Sequence, residues 1–175
     1  TNKTLGIVGF GGIGREFAKI AKDLFKKVIC YDPFVNNKEM KKLEVDKVDF
    51  DEIANSSDFL VILCDLNEKT KGIIDSTFLN KMKSSSYLIN LSRGPVVNEK
   101  DLIVSLKQNE IAGAGLDVMT NEPIEKNNEL INLKNTILTP HSLCWTDECF
   151  KSIADESISS ILHYFDNKSI PNRVV

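Results

Sequence analysis

Gly9-Phe10-Gly11-Gly12-Ile13-Gly14 sits between a short apolar run, Leu5-Gly6-Ile7-Val8, and a stretch where Phe17, Ile20, Ala21, Leu24 and Phe25 recur at helical spacing. The run bounded by glycines reads as a buried strand, and the pattern after it as an amphipathic helix. A G-x-G-x-x-G between strand and helix has a physical purpose. Gly9 permits the tight turn, Gly11 lets a pyrophosphate approach the backbone, and Gly14 lets helix and strand pack closely. The N–H groups at the helix start then bind the diphosphate. Asp32 closes the next apolar run, Val28-Ile29-Cys30-Tyr31, 18 residues after Gly14. An acid about 20 residues downstream accepts hydrogen bonds from an adenosine ribose. A carboxylate there repels a 2′-phosphate, which favours NAD over NADP. Enzymes that use S-adenosylmethionine place glycines and an acid similarly, so the loop alone leaves two cofactor classes open.

Outward from this loop the pattern keeps alternating. Phe59-Leu60-Val61-Ile62-Leu63, Tyr87-Leu88-Ile89-Asn90-Leu91, Ile111-Ala112-Gly113-Ala114-Gly115-Leu116 and Thr136-Ile137-Leu138-Thr139 read as strands. Between them lie a brief helix over 50–56, a short helix capped by Asp75, and a capping-box-like start at Asn98 with Asp101 three residues on. Thr146 opens a long helix whose stripe of Phe150, Ile153, Ala154, Ile158, Ile161 and Phe165 is expected to be buried. Strands alternating with helices imply βαβ units, hence an α/β fold with a Rossmann-type, doubly wound parallel sheet. The polar segment 121–135 is expected to be the longest loop. The domain is expected to span 1–169, with 170–175 a stub leading elsewhere.

Composition excludes other classes. The chain has 175 residues, and Lys+Arg 22 against Asp+Glu 25 gives a net charge of −3, so charge offers no case for nucleic acid or an anionic membrane. No apolar run approaches the ~18–20 residues of a membrane span, and no signal peptide is evident. Cys30, Cys64, Cys144 and Cys149 form no C-x-x-C pair, and two His complete no zinc set, so no metal is expected and a reducing, cytoplasmic compartment is the default. The cysteines read as small apolar fillers, although Cys64 and Cys144 could make a site oxidant-sensitive. His163 reads as a surface or packing residue. The chain lacks an initiator Met and enters a strand almost at once, which reads as a piece of a longer protein.

The second half carries the decisive motifs. Asn90-Leu91-Ser92-Arg93-Gly94-Pro95, Gly115-Leu116-Asp117-Val118, Glu122-Pro123 and Thr139-Pro140-His141 all follow expected strands. Ligands of open α/β sheets bind beyond those carboxyl ends. With the glycine loop, this order and spacing resembles the nucleotide-binding domain of the D-isomer-specific 2-hydroxyacid dehydrogenases over nearly the whole chain. The resemblance implies one domain of a normally two-domain enzyme that interconverts a small D-2-hydroxy acid and its 2-oxo acid with NAD. It implies His141 as proton donor or acceptor, Glu122 as the carboxylate orienting it, and Arg93 as the fork for substrate carboxylate and carbonyl. It also assigns Gly9, Gly11, Gly12, Ile13, Gly14, Asp32, Cys64, Thr70, Leu91, Ser92, Arg93, Asp117, His141 and Cys144 to the cofactor, and it implies a homodimer through this domain. An NAD-sensing corepressor of the same fold is the second reading. A methyl-transfer domain is a third, and it leaves Arg93, Glu122 and His141 unexplained. The sequence departs from the family pattern at Asp65-Leu66-Asn67 (commonly Pro-Leu-Thr), at Met119, and at Ser142 to Trp145.

Overall fold

The computed structural model describes residues 1–170. The expected stub at 170–175 lies almost wholly outside the described residues. The strands are β1 (Thr4–Val8), β2 (Lys27–Tyr31), β3 (Asp46–Lys47), β4 (Phe59–Ile62), β5 (Tyr87–Asn90), β6 (Gly113–Leu116) and β7 (Thr136–Leu138). The helices are α1 (Gly12–Ala21), α2 (Asn37–Lys41), α3 (Phe50–Ser56), α4 (Ser76–Leu79), α5 (Glu99–Gln108) and α6 (Asp147–Phe165). All seven strands pair in parallel in the order β3-β2-β1-β4-β5-β6-β7. The order reverses between β1 and β4, which is where ligands bind in doubly wound sheets.

Strand alternation divides the core into two faces. Leu5, Ile7, Val28, Cys30 and Val61 point to one side, against Ala18 and Ala21 of α1 and Met40 of α2. Val8, Ile29, Leu60, Ile62 and Leu88 point to the other, against Ile53 of α3, Phe78 and Leu79 of α4, and Leu102 and Leu106 of α5. The central strands β1, β2 and β4 are covered on both sides, which is why their runs read as continuously apolar rather than alternating, whereas Ile137 on β7 is exposed.

Side-chain caps set the helix starts. Asp49 accepts from the Glu52 amide at 2.7 Å, Asp75 from the Phe78 amide at 3.0 Å and Asn98 from the Asp101 amide at 3.3 Å. The Asp101 carboxylate does not reach back to complete a capping box; it accepts from the Ser76 amide at 2.8 Å and ties α5 to α4.

α2 and β3 leave no apolar period in the sequence, and β6 starts at Gly113 rather than Ile111. The loop 121–135 holds a short 3-10 turn at Glu129–Asn132 that buries Leu130. The chain forms two compact units, residues 1–140 and a second beginning at His141. The expected buried stripe of α6 is a correction. The helix has no buried residue, and Phe150, Ile153, Ile158, Ile161 and Phe165 are each more than half exposed. A single helix with a short lead-in has no second apolar layer of its own to bury against.

Candidate active site

The loop after β1 is built by close approaches. Gly9 has φ +101°, and a Cβ there would lie 2.6 Å from the Cys64 amide nitrogen at the end of β4. A Cβ on Gly14 would lie 2.3 Å from the Gly9 carbonyl oxygen. The space beside Gly11 and Gly12 is open to at least 4 Å. Arg15 braces the loop from below, its Nε donating to the Phe10 carbonyl at 3.1 Å. Of the six α-helices described, α1 alone has no side chain capping its first turn and no acid within it. Its leading amides, which include those of Gly12 and Ile13, are therefore left for an external anion.

Asp32 stands at the end of β2 with its carboxylate fixed by three backbone amides. Oδ2 accepts from Phe10 at 2.7 Å, and Oδ1 from Phe34 at 2.8 Å and Val35 at 3.1 Å. The carboxylate thus joins the glycine loop to the β2 turn, with lone pairs left over for a hydroxyl donor. Between the ends of β1, β2 and β4 lies a cleft of about 450 Å³, lined by Gly9, Gly11, Asp32, Cys64 and Thr70. Its remaining wall includes Phe34, Asp65, Asn67, Lys69 and Ile73. The Thr70 hydroxyl donates to the Asp65 carbonyl at 2.6 Å and accepts from the Asn67 amide at 2.8 Å, so it shapes this wall from within. An anion-seeking helix start, an apolar cleft and a hydroxyl-accepting acid at its rim fit an adenine dinucleotide. Burial pushes the Cys64 thiol up to about 11, which makes it a lining group rather than a reactive thiolate.

Beyond β5 the chain is held by its own polar side chains. The Ser92 hydroxyl donates to the Cys64 carbonyl at 2.7 Å, and Asn90 Nδ2 donates to the Arg93 carbonyl at 3.0 Å. Leu91 is half-buried between them. Arg93 is exposed, and its Nη1 donates to the Ser92 carbonyl at 2.7 Å. A Cβ on Gly94 would lie 2.0 Å from the Met119 carbonyl carbon and oxygen, so only glycine lets this turn meet the loop after β6. That contact sets Arg93 beside the segment carrying Glu122, whose Oε1 accepts from the Met119 amide at 2.9 Å. The Glu122–Pro123 peptide is cis. Asp117 is buried at the end of β6, and its Oδ1 accepts from the Thr139 hydroxyl at 2.5 Å.

The structure thus brings the glycine loop, Asp32, Cys64 and Thr70 to one cleft. It holds Ser92, Arg93, Asp117 and Glu122 on the same carboxyl side of the sheet. His141 opens the second unit, exposed and with φ +53°, and Cys144 follows it in the same unit. His163 lies in the last turn of α6. Phe34, Asn67 and Lys69 carry no motif: the turn after β2 supplies Phe34, and the pairing of β4 with β1 brings Asn67 and Lys69 to the same cleft. Among the described residues no three His, Cys, Asp or Glu side chains are grouped to hold a metal ion, and no helix is long and apolar enough to cross a membrane.

Comparison with known proteins agrees with this geometry. Residues 1–142 match the model of the D-isomer specific 2-hydroxyacid dehydrogenase, NAD binding domain. The chain is 36% identical over 173 residues to a hydroxypyruvate reductase of Blautia hydrogenotrophica, covering 99% of this chain and 53% of that protein. It is 39% identical over 172 residues to a glyoxylate reductase of Thermococcus litoralis, covering 98% of this chain and 52% of that protein. The crystal structure of D-lactate dehydrogenase with NAD+ from Lactobacillus jensenii superposes with a TM-score of 0.89 at 26% identity, over 99% of this chain and 56% of that one. The chain therefore spans about half the length of the relatives it matches. Fold, cleft and motifs converge, and the chain belongs to the D-isomer-specific 2-hydroxyacid dehydrogenase family, of which it is an NAD-binding domain.

Proposed function

We propose that the protein containing this chain reduces a small 2-oxo acid to its D-2-hydroxy acid, and runs the reverse oxidation, with this chain as the NAD-binding domain over residues 1–169. The observation that carries the reading is the uncapped first turn of α1 beside the amide-clamped carboxylate of Asp32. Capping side chains at α2 through α6 set off that bare helix start as a diphosphate seat. NADH, when bound, supplies the hydride. Gly12 and Ile13 would meet the diphosphate with their amides, and Asp32 the adenosine ribose. Leu91, Ser92 and Asp117 would meet the nicotinamide half. Arg93 binds the substrate carboxylate through its planar fork and polarises the carbonyl. His141 holds the proton that the carbonyl oxygen takes up, and Glu122 is the carboxylate assigned to orient it.

The two relatives above are named as reductases of hydroxypyruvate and glyoxylate, which supports a short, polar 2-oxo acid as substrate. They also support catalysis over the corepressor reading. Substrate side-chain selection falls to the rest of the protein, since this chain is about half the length of its relatives. A homodimer is supported by Ile13 and Ile20, left exposed on α1, and Leu24, exposed just after it. A cytoplasmic location is supported by four cysteines that are all free.

The test is NADH oxidation by the full-length protein against glyoxylate, hydroxypyruvate, pyruvate and bulkier 2-oxo acids. Turnover is expected on at least one, with His141→Ala lowering kcat by about 100-fold or more. NADH binding without turnover of any acid would overturn the enzyme reading in favour of a sensor. Binding of S-adenosylmethionine in place of NADH would overturn the dinucleotide reading.

A further inference from the structure

Cys144 and Cys149 flank the start of α6. Thr146 is the N-cap, its hydroxyl accepting from the Cys149 amide at 3.2 Å. Cys144 therefore lies two residues before the cap and Cys149 three residues after it. The bend between them is fixed from both sides. Trp145, just before the cap, packs on Phe150 with ring centroids 6.5 Å apart, which is a hydrophobic staple. The Trp145 amide donates to the Ser142 carbonyl and the Thr146 amide to the Cys144 carbonyl, both at 2.9 Å. The staple joins 145 to 150, and the cysteines are the pair one residue earlier at the same separation. The bend that closes the staple also turns the Cys144 and Cys149 side chains toward one another at the same end of the helix, near enough for Cys144 to act on the Cys149 thiol. Cys144 is exposed and Cys149 partly buried.

We propose that Cys144 and Cys149 form a reversible dithiol–disulfide site, oxidised by a small-molecule disulfide. Exposed Cys144, as its thiolate, attacks one sulfur of oxidised glutathione. One glutathione thiolate leaves and takes up the proton that Cys144 gave up. Cys149 then attacks the Cys144 sulfur of this mixed disulfide and expels the second glutathione, which takes the Cys149 proton. The two cysteines lose two electrons and two protons, and one oxidised glutathione becomes two reduced ones.

Access and acidity assign the order. Burial, with Cys144 alongside, holds the Cys149 thiol above its ordinary value, so Cys149 suits the second, intramolecular step. The remaining two cysteines are poor competitors. Cys30 is buried and its thiol is pushed far up by desolvation, and Cys64 is pushed up to about 11 for the same reason. Cys144 follows His141 by three residues, so the bond would pin the segment that carries the proposed proton donor.

The test uses the full-length protein with excess oxidised glutathione at neutral pH, followed by alkylation and tryptic mapping. Cys144 and Cys149 fall in one peptide between Lys134 and Lys151, and Cys30 and Cys64 fall in others. The expected result is a 135–151 peptide lighter by two hydrogen atoms, closed to alkylation and reopened by dithiothreitol, while the Cys30 and Cys64 peptides stay alkylated. Cys149→Ser is expected to trap glutathione on Cys144, and Cys144→Ser to leave about tenfold less adduct on Cys149. Alkylation of both cysteines to the same extent as Cys30 and Cys64 would overturn the proposal, as would two glutathiones on the one peptide with no bond between its cysteines. The wild-type result needs no variant to fold. It reads a bond by mass, so it holds whether or not the protein turns over a 2-hydroxy acid.

Discussion

Asp32→Asn separates the two tasks assigned to this carboxylate. Its oxygens take three backbone amides at 2.7, 2.8 and 3.1 Å. An amide side chain keeps one acceptor oxygen and turns an NH2 group toward a backbone donor on the other side. Hydrogen bonds to a charged group contribute roughly 1.5–3 kcal/mol and neutral ones about 1. The variant should therefore lose about 2 kcal/mol of unfolding free energy. The effect on cofactor choice is larger. A carboxylate and a dianionic 2′-phosphate about 5 Å apart repel by roughly 2–3 kcal/mol at the high effective dielectric of an open cleft, or about 30- to 150-fold in affinity. Losing a charge-assisted bond to the ribose should weaken NADH by about tenfold. Titration calorimetry with both dinucleotides on full-length wild type and variant reads each quantity. The preference for NADH should fall by roughly 300-fold or more, the product of the two effects. A preference unchanged within about twofold, in a variant that urea unfolding shows to be native, would refute the assignment.

The glycines of the loop should divide by task. Gly14→Ala puts a Cβ 2.3 Å from the Gly9 carbonyl and should cost about 2–3 kcal/mol in urea unfolding. Gly11→Ala enters open space, so stability should stay within about 0.5 kcal/mol while NADH affinity falls at least about tenfold. Equal effects of the two on stability would contradict this division. Gly94→Ala would drive a Cβ into the Met119 backbone; thermal unfolding should register a loss of about 3 kcal/mol, with turnover lost as Arg93 and the Glu122 turn separate. Asp58 is held below the usual carboxylate range, first by the Thr4 amide at 2.8 Å and then by Lys83 and Lys3. Because its folded pKa is depressed, its contribution is present at neutral pH and is lost as pH falls through that value. Asp58→Asn should thus cost about 1–2 kcal/mol at neutral pH and progressively less in acid; a cost that does not change with pH would count against it.

What the sequence reveals follows from how local each feature is. The alternation of apolar strands and helices, the glycine loop and Asp32 each depend on residues close in the chain, and they are readable there. The α2–β3 excursion is not. β3 is a two-residue edge strand, Asp46–Lys47, too short and too charged to leave a period. The cleft wall of Asn67 and Lys69 is invisible for another reason: it exists only because β4 pairs beside β1. Arg93, Glu122 and His141 stand out by the order of motifs around them, not by any period. The stripe of α6 is a true amphipathic pattern, yet a pattern specifies that a face will be covered and not by what.

The strand order has a consequence for synthesis. β1 lies inside the sheet and precedes the sheet's other six described strands, so each of them can dock as it leaves the ribosome. β2 and β3 extend one side in turn, and β5, β6 and β7 extend the other behind β4. Only β4 must pass over its predecessors to reach β1. That single delayed junction is also the floor of the cleft. A dinucleotide in the cleft would hold together the one seam that is not zipped sequentially, and by mass action would favour the chain that has closed it.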